Sequence, residues 1–165
     1  MRVRSETGFT LIEAMMASVI LAVGLLALSF MQATTLSRNV DSSELSRATS
    51  LAAEMVERIQ FNRSRVLSYN GINTAGAGNC AATINAINDP MASGDCKQWV
   101  ALLNGPYGAG LSALVGTVSV SPTGPINPPL NQSLVKVQVT WTTLAGVNKL
   151  QRTRNVVINT TIDPE

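Results

Sequence analysis

The 165-residue sequence contains no histidine and only two cysteines. Without histidine, a catalytic triad that uses an imidazole base is excluded. A zinc site needs three or four cysteine, histidine or carboxylate ligands, so a metal centre built on cysteine and histidine is close to excluded as well. The second half of the chain shows no pair of acids at a spacing typical of general acid–base catalysis. We therefore predict a protein that is not an enzyme and that uses neither a metal nor a cofactor.

Charged residues are also scarce. They make up 13% of the chain, and the formal net charge is +2. Binding to nucleic acid depends on a basic patch that neutralises several phosphates, and this charge balance is too weak for it. Arg152 and Arg154 share one face of a predicted strand with Lys149 nearby, but three basic residues are more typical of a solvated face. We expect no nucleic-acid partner.

Where charge is missing altogether, the sequence is strongly apolar. No charged residue occurs between Ala14 and Ser37. At about 1.5 Å per residue, a helix over this segment runs roughly 36 Å, which is enough to cross a hydrocarbon core about 30 Å thick. Arg2 and Arg4 precede it, and the positive-inside rule keeps such a basic leader in the cytoplasm. The sequence predicts one membrane-spanning helix with the rest of the chain on the far side.

Two simple interpretations of the apolar segment are a cleavable secretory signal and a plain signal anchor. A secretory signal has an apolar core of about 7 to 15 residues followed by a small-x-small site. This core is longer, and the bulky Met31 stands two positions before Ala33. A signal anchor explains the apolar run but leaves Gly8 and Glu13 without a role. Thr10 and Glu13 fit the S/T-x-x-E capping box, which accounts for the acid but not for the glycine.

The run GFTLIE, from Gly8 to Glu13, resembles the class III signal of type IV pilins and of the pseudopilins of type II secretion. In that family a membrane-embedded prepilin peptidase cuts after the glycine and N-methylates the new first residue. The resemblance covers the leader and the apolar helix without a gap. It implies a leader of residues 1–8, cleavage between Gly8 and Phe9, N-methylation of Phe9, and an assembly role for Glu13.

Physical chemistry explains why each of these residues suits its implied role. The glycine before the cut has no side chain to clash with the peptidase. Cleavage creates an ammonium group at Phe9 in the membrane, and methylation leaves that amine protonatable. A lone charge in hydrocarbon is costly, whereas a hydrogen-bonded ion pair offsets much of the cost. We therefore predict that Glu13 neutralises the amine, within the chain or on a neighbouring subunit, and acts as a docking and register device.

Helical periodicity continues beyond the membrane segment. An apolar residue recurs every three or four positions and predicts one buried stripe of Leu45, Ala48, Ala52, Met55 and Ile59. Glu54 and Arg58 form a favourable i,i+4 pair beside it. Because no proline occurs between residues 9 and 65, one helix is predicted from Phe9 to Arg65, with residues 9–37 in the membrane and 38–65 amphipathic. Gly24 is its weakest point, at about 1 kcal/mol relative to alanine.

Residues 66–165 are predicted to form a globular head. Glycines at positions 71, 76 and 78 indicate turns and loops. Asp95 is predicted to cap a short helix that ends at Gly105 and Pro106. Trp99, inside that helix, is assigned to core packing, which is a commoner use of tryptophan than ligand binding.

Cys80 and Cys96 enclose a loop that is rich in alanine, asparagine and glycine. In an oxidising compartment, a disulfide between them stabilises the head by about 3 kcal/mol in the loop-entropy model. The alternative is two unrelated small apolar residues in a reducing cytosol. An N-terminal segment that exports the chain favours the disulfide.

Three strands are predicted towards the C-terminus, at residues 116–121, 134–141 and 150–162. Alternating positions place the apolar residues of the last two on one face, namely Val135, Val137, Val139 and Trp141, then Val156, Ile158, Thr160 and Ile162. An antiparallel sheet laid on residues 38–65 of the helix buries both apolar surfaces, so the predicted class is α+β. The resemblance implies the pilin ladle, in which one long helix packs on a small antiparallel sheet.

Within the family, the segment ILAVGLLAL at residues 20–28 resembles the anchor of the PilV type of minor pilin. The head is similar in its two cysteines, in the spacing from Asp95 to Trp99 and in the strand VKVQVTW at residues 135–141. The resemblance implies a minor pilin that helps to prime type IV pilus assembly, in a tip complex. It implies a single pass through the inner membrane, a periplasmic head and a final place on the cell-surface pilus.

The partners implied by this resemblance are prepilin peptidase, other minor pilins, the major pilin, the inner-membrane assembly platform and inner-membrane lipid. Two alternatives stay open. A minor pseudopilin of a type II secretion system uses the same leader chemistry and a similar head. A membrane-anchored periplasmic binding module keeps the anchor but never polymerises.

Overall fold

The computed structural model describes residues 10–75, 80, 84–123, 132–145 and 150–163. Its elements, in chain order, are helix α1 (Leu11–Phe61), a 3₁₀ helix (Arg63–Tyr69), helix α2 (Pro90–Asn104) and strands β1 (Ser112–Pro122), β2 (Ser133–Ala145) and β3 (Leu150–Ile162). The strands form an antiparallel sheet in the order β1-β2-β3. The predicted α+β class, with one long N-terminal helix before a small antiparallel sheet, is confirmed.

Helix α1 follows from a long stretch without helix breakers, because the first proline of the chain is Pro90. Glu13 lies in its first turn and Arg58 in its last turn, where each charge complements the helix dipole. The chain forms two compact units, and the boundary between them falls inside α1, between Ser42 and Ser43. The two halves of the helix are therefore described separately.

The end of α1 differs from the prediction, because the helix stops at Phe61 and not at Arg65. Asn62 has φ −107° and ψ 39°, and Arg65 has φ −121° and ψ 29°, both outside the α-helical region. Asparagine favours such local departures, since its short polar side chain competes for backbone hydrogen bonds. The chain tightens into the 3₁₀ helix, whose three-residue spacing brings Val66 and Tyr69 into the core.

The second half of α1 carries the helical share of the head's core. The apolar stripe is confirmed at four positions, Ala48, Ala52, Met55 and Ile59, which are all fully buried. Leu51 and Val56 join them. The assignment of Leu45 to this stripe is wrong, because its side chain is 50% exposed. It lies almost one turn before Ala48, the first residue of α1 that the head covers completely.

Helix α2 begins earlier than predicted. Asp89 takes the N-cap position and Pro90 follows inside the first turn, a combination that suits proline because its fixed φ is helical and its missing N–H needs no partner there. Asp95 lies inside the helix, so its predicted capping role is wrong. The predicted end is confirmed, since α2 stops at Asn104 with Gly105 as the C-cap.

The core assignment of Trp99 is confirmed. Its ring is fully buried, and its indole Nε1–H donates a hydrogen bond to the Leu51 carbonyl oxygen at 2.8 Å. The ring also lies against β1, where a Cβ added to Gly116 would come within 2.2 Å of the Trp99 ring. Trp99 therefore fills the space between α1 and the sheet, and Gly116 has no side chain because the ring occupies that space.

The sheet is larger than predicted at β1 and β2 and agrees with the prediction at β3. β1 begins at Ser112, and a register shift between Ser112 and Val115 marks a bulge, with Ala113 at φ 49°. A bulge interrupts the two-residue alternation, which is why sequence pattern recovers only the part of the strand after it. The alternation of β2 is confirmed, since Val135, Val137, Val139 and Trp141 are all buried.

An extended segment covers the outer edge of β1. The Gly71 N–H donates to the Val118 carbonyl at 3.0 Å, and the Val118 N–H donates to the Ile72 carbonyl at 2.8 Å. The Thr74 N–H donates to the Gly116 carbonyl at 2.9 Å. Gly71 has φ 82°, a conformation that glycine adopts without strain, and it turns the chain from the 3₁₀ helix into this pairing. β1 is consequently not an open edge.

Candidate functional site

The first turn of α1 holds the acid singled out by the sequence. The Glu13 and Ala14 N–H groups donate to the Thr10 carbonyl at 3.0 and 3.3 Å, which closes the turn. The Glu13 side chain is exposed. Gly8 and Phe9, where cleavage and methylation are predicted, lie outside the described residues. Glu13 is thus presented at the helix N-terminus, where its charge meets the positive end of the helix dipole.

The helix that follows Glu13 exposes its apolar residues on every side. Fifteen large apolar side chains are between 56% and 78% exposed: Leu11, Ile12, Met15, Met16, Val19, Ile20, Leu21, Val23, Leu25, Leu26, Leu28, Phe30, Met31, Leu36 and Val40. By length and composition, α1 suffices to cross a membrane. Because no part of the described chain covers this surface, these side chains need an apolar environment that the protein does not supply itself.

In the head, one arginine joins α1 to α2. Arg58 Nη2 lies 2.7 Å from Glu54 Oε1, which confirms the predicted i,i+4 pair. Its Nη1 lies 3.3 Å from Asp95 Oδ1 and 2.6 Å from Gln98 Oε1 on α2. The hydrogen bond that Arg58 donates to Glu54 raises the pKa of Arg58 above its ordinary value, so the guanidinium stays charged. The contacts to α2 were not predicted, because residues 37 and 40 positions apart leave no local sequence signal.

Asp95 also receives a hydrogen bond from the 3₁₀ helix. The Tyr69 hydroxyl donates to Asp95 Oδ2 at 2.5 Å, and Asn62 Nδ2 donates to the Tyr69 oxygen at 3.1 Å. Burial raises the pKa of Tyr69 above its ordinary value of 10.0, and the adjacent Asp95 carboxylate adds to the rise. Asp95 therefore ties together three helical segments, which is the structural use of an acid that the sequence assigned to a cap.

A second link to α2 is covalent. Cys80 and Cys96 form a disulfide, with their Cα atoms 5.8 Å apart and a sequence separation of 16. Cys96 belongs to α2 and is fully buried, as is nearly all of Cys80. The disulfide therefore fastens the chain before α2 to the same helix that Arg58 of α1 contacts.

The described part of the head contains several polar contacts between its elements. Across the described ranges, no group of three or more cysteines, histidines, aspartates or glutamates could hold a metal ion. Its polar contacts include Arg58 with its partners, the ion pair between Arg65 and Asp89 at 3.2 Å, and Trp141, whose Nε1–H donates to Glu44 Oε2 at 3.1 Å.

Comparison with known proteins identifies the N-terminal segment. Residues 3–29 match the family model described as the prokaryotic N-terminal methylation motif. The match spans Gly8, Phe9 and Glu13 and includes the first part of α1. No curated protein and no solved structure matches the chain. The predicted resemblance is confirmed for this motif: the chain carries a type IV prepilin-like N-terminus.

The motif defines a class of protein. It supports a type IV pilin-like or pseudopilin-like protein, and proteins that carry it are structural subunits. It implies processing by prepilin peptidase and association with pilin partners. The exposed apolar helix near the N-terminus is compatible with membrane anchoring.

Proposed function

We propose that this protein is a minor pilin of the PilV type, which helps to prime the assembly of type IV pili in a tip complex with other minor pilins. The observation that carries the proposal is the methylation motif at residues 3–29, followed by a helix whose large apolar side chains are more than half exposed. The small disulfide-linked α+β head supports it. Its partners are then the major pilin, the other minor pilins and the inner-membrane assembly platform.

In this proposal the chain is divided by function. Residues 1–8 are the leader, residues 9–37 span the inner membrane, residues 38–65 contain the amphipathic part of the helix, and residues 66–165 form the periplasmic head that later reaches the cell surface. Prepilin peptidase cuts between Gly8 and Phe9 and methylates Phe9. The division between two compact units at Ser42 and Ser43 lies close to the proposed membrane boundary.

Glu13 is proposed to pair with the new amine of Phe9. In the mature chain Glu13 stands four positions after the amine, on the first turn of an exposed helix, and the proposal allows a pair within one chain or between neighbours. In hydrocarbon, an ion pair is stable only when its geometry is good, because desolvation penalises every charge that lacks a well-placed partner. The pair would therefore set the axial register of subunits as they stack.

Mass spectrometry of the mature N-terminus tests the proposal most directly. The protein purified from its native host is expected to begin with N-methylated Phe9. A chain that still begins at Met1 would contradict the proposal.

The role of Glu13 is tested by Glu13→Ala, with Glu57→Ala as a matched control. Glu57 is an exposed acid on the same helix but outside the apolar segment. Glu13→Ala is expected to insert into the membrane and to be cleaved, yet to reach pili at least about tenfold less than the parent, as judged by immunoblots of sheared fibres. Normal incorporation of Glu13→Ala would refute the pairing role.

A minor pseudopilin of type II secretion is the second candidate, because the methylation motif is common to both groups. A deletion strain separates the two. Loss of surface fibres and twitching with normal exoprotein secretion supports the minor pilin, and the reverse supports the pseudopilin. A binding module that never polymerises would leave both traits intact and would give no crosslinks to other pilins from cysteines placed near Glu13.

A further inference from the structure

Several elements of the head meet around the first residues of α1 that belong to it. The Trp141 Nε1–H donates to Glu44 Oε2 at 3.1 Å, which places the second half of β2 beside this part of the helix. In the sheet register, Arg154 of β3 is opposite Trp141, and Arg152 is opposite Thr143. The beginning of β3 therefore lies at the same end of the head as Glu44.

The loop between α2 and β1 reaches this end as well. Arg47 follows Glu44 by almost one helical turn, and its Nη1 donates to the Ala109 carbonyl oxygen. The side chains of Tyr107 in this loop and of Leu45 on the helix are exposed. We call this end of the head the basic rim and define it by Leu45, Arg47, Tyr107, Arg152 and Arg154.

The arginines give the basic rim its charge. Arg47 and Arg152 are exposed, and within the described residues neither forms an ion pair. Arg154 is half-buried and lies on the same face of β3 as Arg152. Glu44, an acid at this end, accepts the hydrogen bond from Trp141. The basic rim thus presents two guanidinium groups to which the described chain supplies no anion.

The basic rim is close to the apolar segment along the chain. Arg38 is the first charged residue after that segment, and only six positions separate it from Glu44. A fully extended chain covers at most about 3.6 Å per residue, so Glu44 lies within about 22 Å of Arg38 for any arrangement of the two compact units. If residues 9–37 span a membrane, the basic rim therefore stays near the membrane surface.

We infer that the basic rim binds the phosphate groups of anionic phospholipids at the surface of the membrane that α1 crosses. The inference rests on the proposed function for one point, the membrane span of residues 9–37. Guanidinium groups suit phosphate because their planar N–H donors match its oxygens in pairs. Tyrosine and leucine beside basic residues are typical of surfaces that lie in the interfacial layer of a bilayer.

An acidic surface on another subunit would also attract these arginines, but the tether favours lipid. Because the basic rim is held near the bilayer by its own chain, lipid phosphates are present at a high effective concentration before any other subunit is met. An anionic surface also attracts every nearby arginine at once, without a matched arrangement of acids. Lipid phosphate is therefore the occupant that the chain itself brings to the rim.

Fluorescence quenching in vesicles tests the inference on the full chain. Thr153 lies between Arg152 and Arg154, and Thr161 is exposed on the same face of β3 near its other end. At about 3.3 Å per residue, the two positions are about 26 Å apart. Each is replaced by cysteine in turn and labelled with a fluorophore, since the native cysteines are held in the disulfide. The vesicles contain phosphatidylcholine with a nitroxide quencher on its headgroup, alone or mixed with phosphatidylglycerol.

The label at Thr153→Cys is expected to be quenched at least about threefold more strongly when phosphatidylglycerol is present, and added salt should reverse this increase. The label at Thr161→Cys should be quenched to the same extent in both kinds of vesicle. Equal quenching of the two labels, or no response of the Thr153 label to phosphatidylglycerol, would contradict the inference.

Two variants that each remove one positive charge identify the surface responsible. Arg152→Gln changes the basic rim, whereas Lys136→Gln changes an exposed site on β2 that pairs with Asn159, towards the other end of the sheet. Arg152→Gln is expected to lower the quenching that depends on phosphatidylglycerol at least about twofold, and Lys136→Gln should leave it unchanged. Tryptophan fluorescence checks that both variants fold. Equal effects of the two substitutions would overturn the inference.

The possible failures can be told apart. If Arg152→Gln lowers incorporation into pili while the quenching is unchanged, the basic rim meets an acidic surface of another subunit and the inference is wrong. If Phe9 is methylated but the Thr153 label never approaches the lipid, the inference is wrong and the proposed function stands. If the chain still begins at Met1, the proposed function itself is wrong.

Discussion

The two halves of α1 solve the problem of apolar surface in opposite ways. In the half before Ser42, every large apolar side chain is more than half exposed, and small polar residues such as Ser18 and Ser29 bond to carbonyls of their own helix. In the half after Ser43, the head buries six apolar side chains, namely Ala48, Leu51, Ala52, Met55, Val56 and Ile59. The same helix thus carries one surface that the chain covers and one that it leaves open.

This difference shows which part of the protein needs other molecules. The head has its own core, with Trp99 and Trp141 fully enclosed, so its stability is a property of the chain. The described residues of the first half bury none of their large apolar side chains, so that surface needs an apolar environment outside the chain. Since both tryptophans of the chain lie in the head, tryptophan fluorescence reports on the head alone and can test the comparison in detergent micelles.

The largest expected contrast is between two isoleucines of the same helix. Ile59 is fully buried and Ile20 is 70% exposed. Ile59→Ala is expected to lower the free energy of unfolding of the head by about 2–5 kcal/mol, because it leaves a cavity in the core. Ile20→Ala should leave it within about 0.5 kcal/mol of the parent. Denaturant titrations followed by tryptophan fluorescence measure both changes. Equal losses of stability in the two variants would contradict the difference between the two halves of α1.

The disulfide should stabilise only the head. Replacing Cys80 and Cys96 by alanine is expected to lower the head's free energy of unfolding by about 3 kcal/mol, since the open chain regains the freedom of a 16-residue loop. Alanine avoids placing a hydroxyl in the buried positions. The reducing agent dithiothreitol should reproduce the effect in the parent and do nothing to the double variant. Unchanged stability of the parent in the reductant would contradict this account.

Two glycines sharpen the comparison further. Gly116→Ala is expected to destabilise the head by about 1–3 kcal/mol, because the new methyl group meets the Trp99 ring and the core must shift. Gly24 has nothing within 4 Å of an added Cβ, so Gly24→Ala should leave the head unchanged. The substitution should stabilise the helical state of the first half by up to about 1 kcal/mol. Slower amide hydrogen exchange in micelles would detect this. A larger loss of head stability in Gly24→Ala than in Gly116→Ala would contradict the packing of Trp99 against Gly116.

The smallest expected effect depends on pH. The folded head keeps the Tyr69 proton because burial raises the pKa of that phenol, whereas the unfolded chain loses it near the ordinary value of 10.0. The contribution of Tyr69 is therefore complete below about pH 10 and declines as the pH rises above it, by about 1.4 kcal/mol per pH unit at most.

Tyr69→Phe removes this titration. The variant should be less stable at neutral pH by about 1 kcal/mol, through loss of the hydrogen bond to Asp95, and should show a flatter decline between about pH 9 and pH 11. Identical pH profiles of the parent and the variant would show that the Tyr69 proton is not retained.

Sequence pattern predicted the elements whose periodicity is undisturbed. β3 agrees at both ends, and the stripe from Ala48 to Ile59 is buried, because uniform alternation and helical spacing are local signals. The motif at Gly8 to Glu13 was found for the same reason, since its residues are contiguous.

The prediction was wrong where distant packing decides the local structure. The helix end at Phe61 depends on Val66 and Tyr69 entering the core, and the exposure of Leu45 depends on where the head stops. Asp95 resembles a cap in sequence, but its partners, Tyr69 and Arg58, come from segments that are far away in the chain. Such contacts have no spacing rule that a single sequence reveals.

The several N–H donors of the Arg58 guanidinium limit which residues could replace it. One planar group reaches a carboxylate on its own helix and a carboxylate and an amide on α2, and it meets them in different directions at once. A lysine would preserve the charge of the protein yet offer its three hydrogens from a single point, so it could not serve all of these acceptors. Substitution of Arg58 by lysine would thus weaken the join between α1 and α2 and leave it to the Trp99–Leu51 hydrogen bond and to side-chain packing.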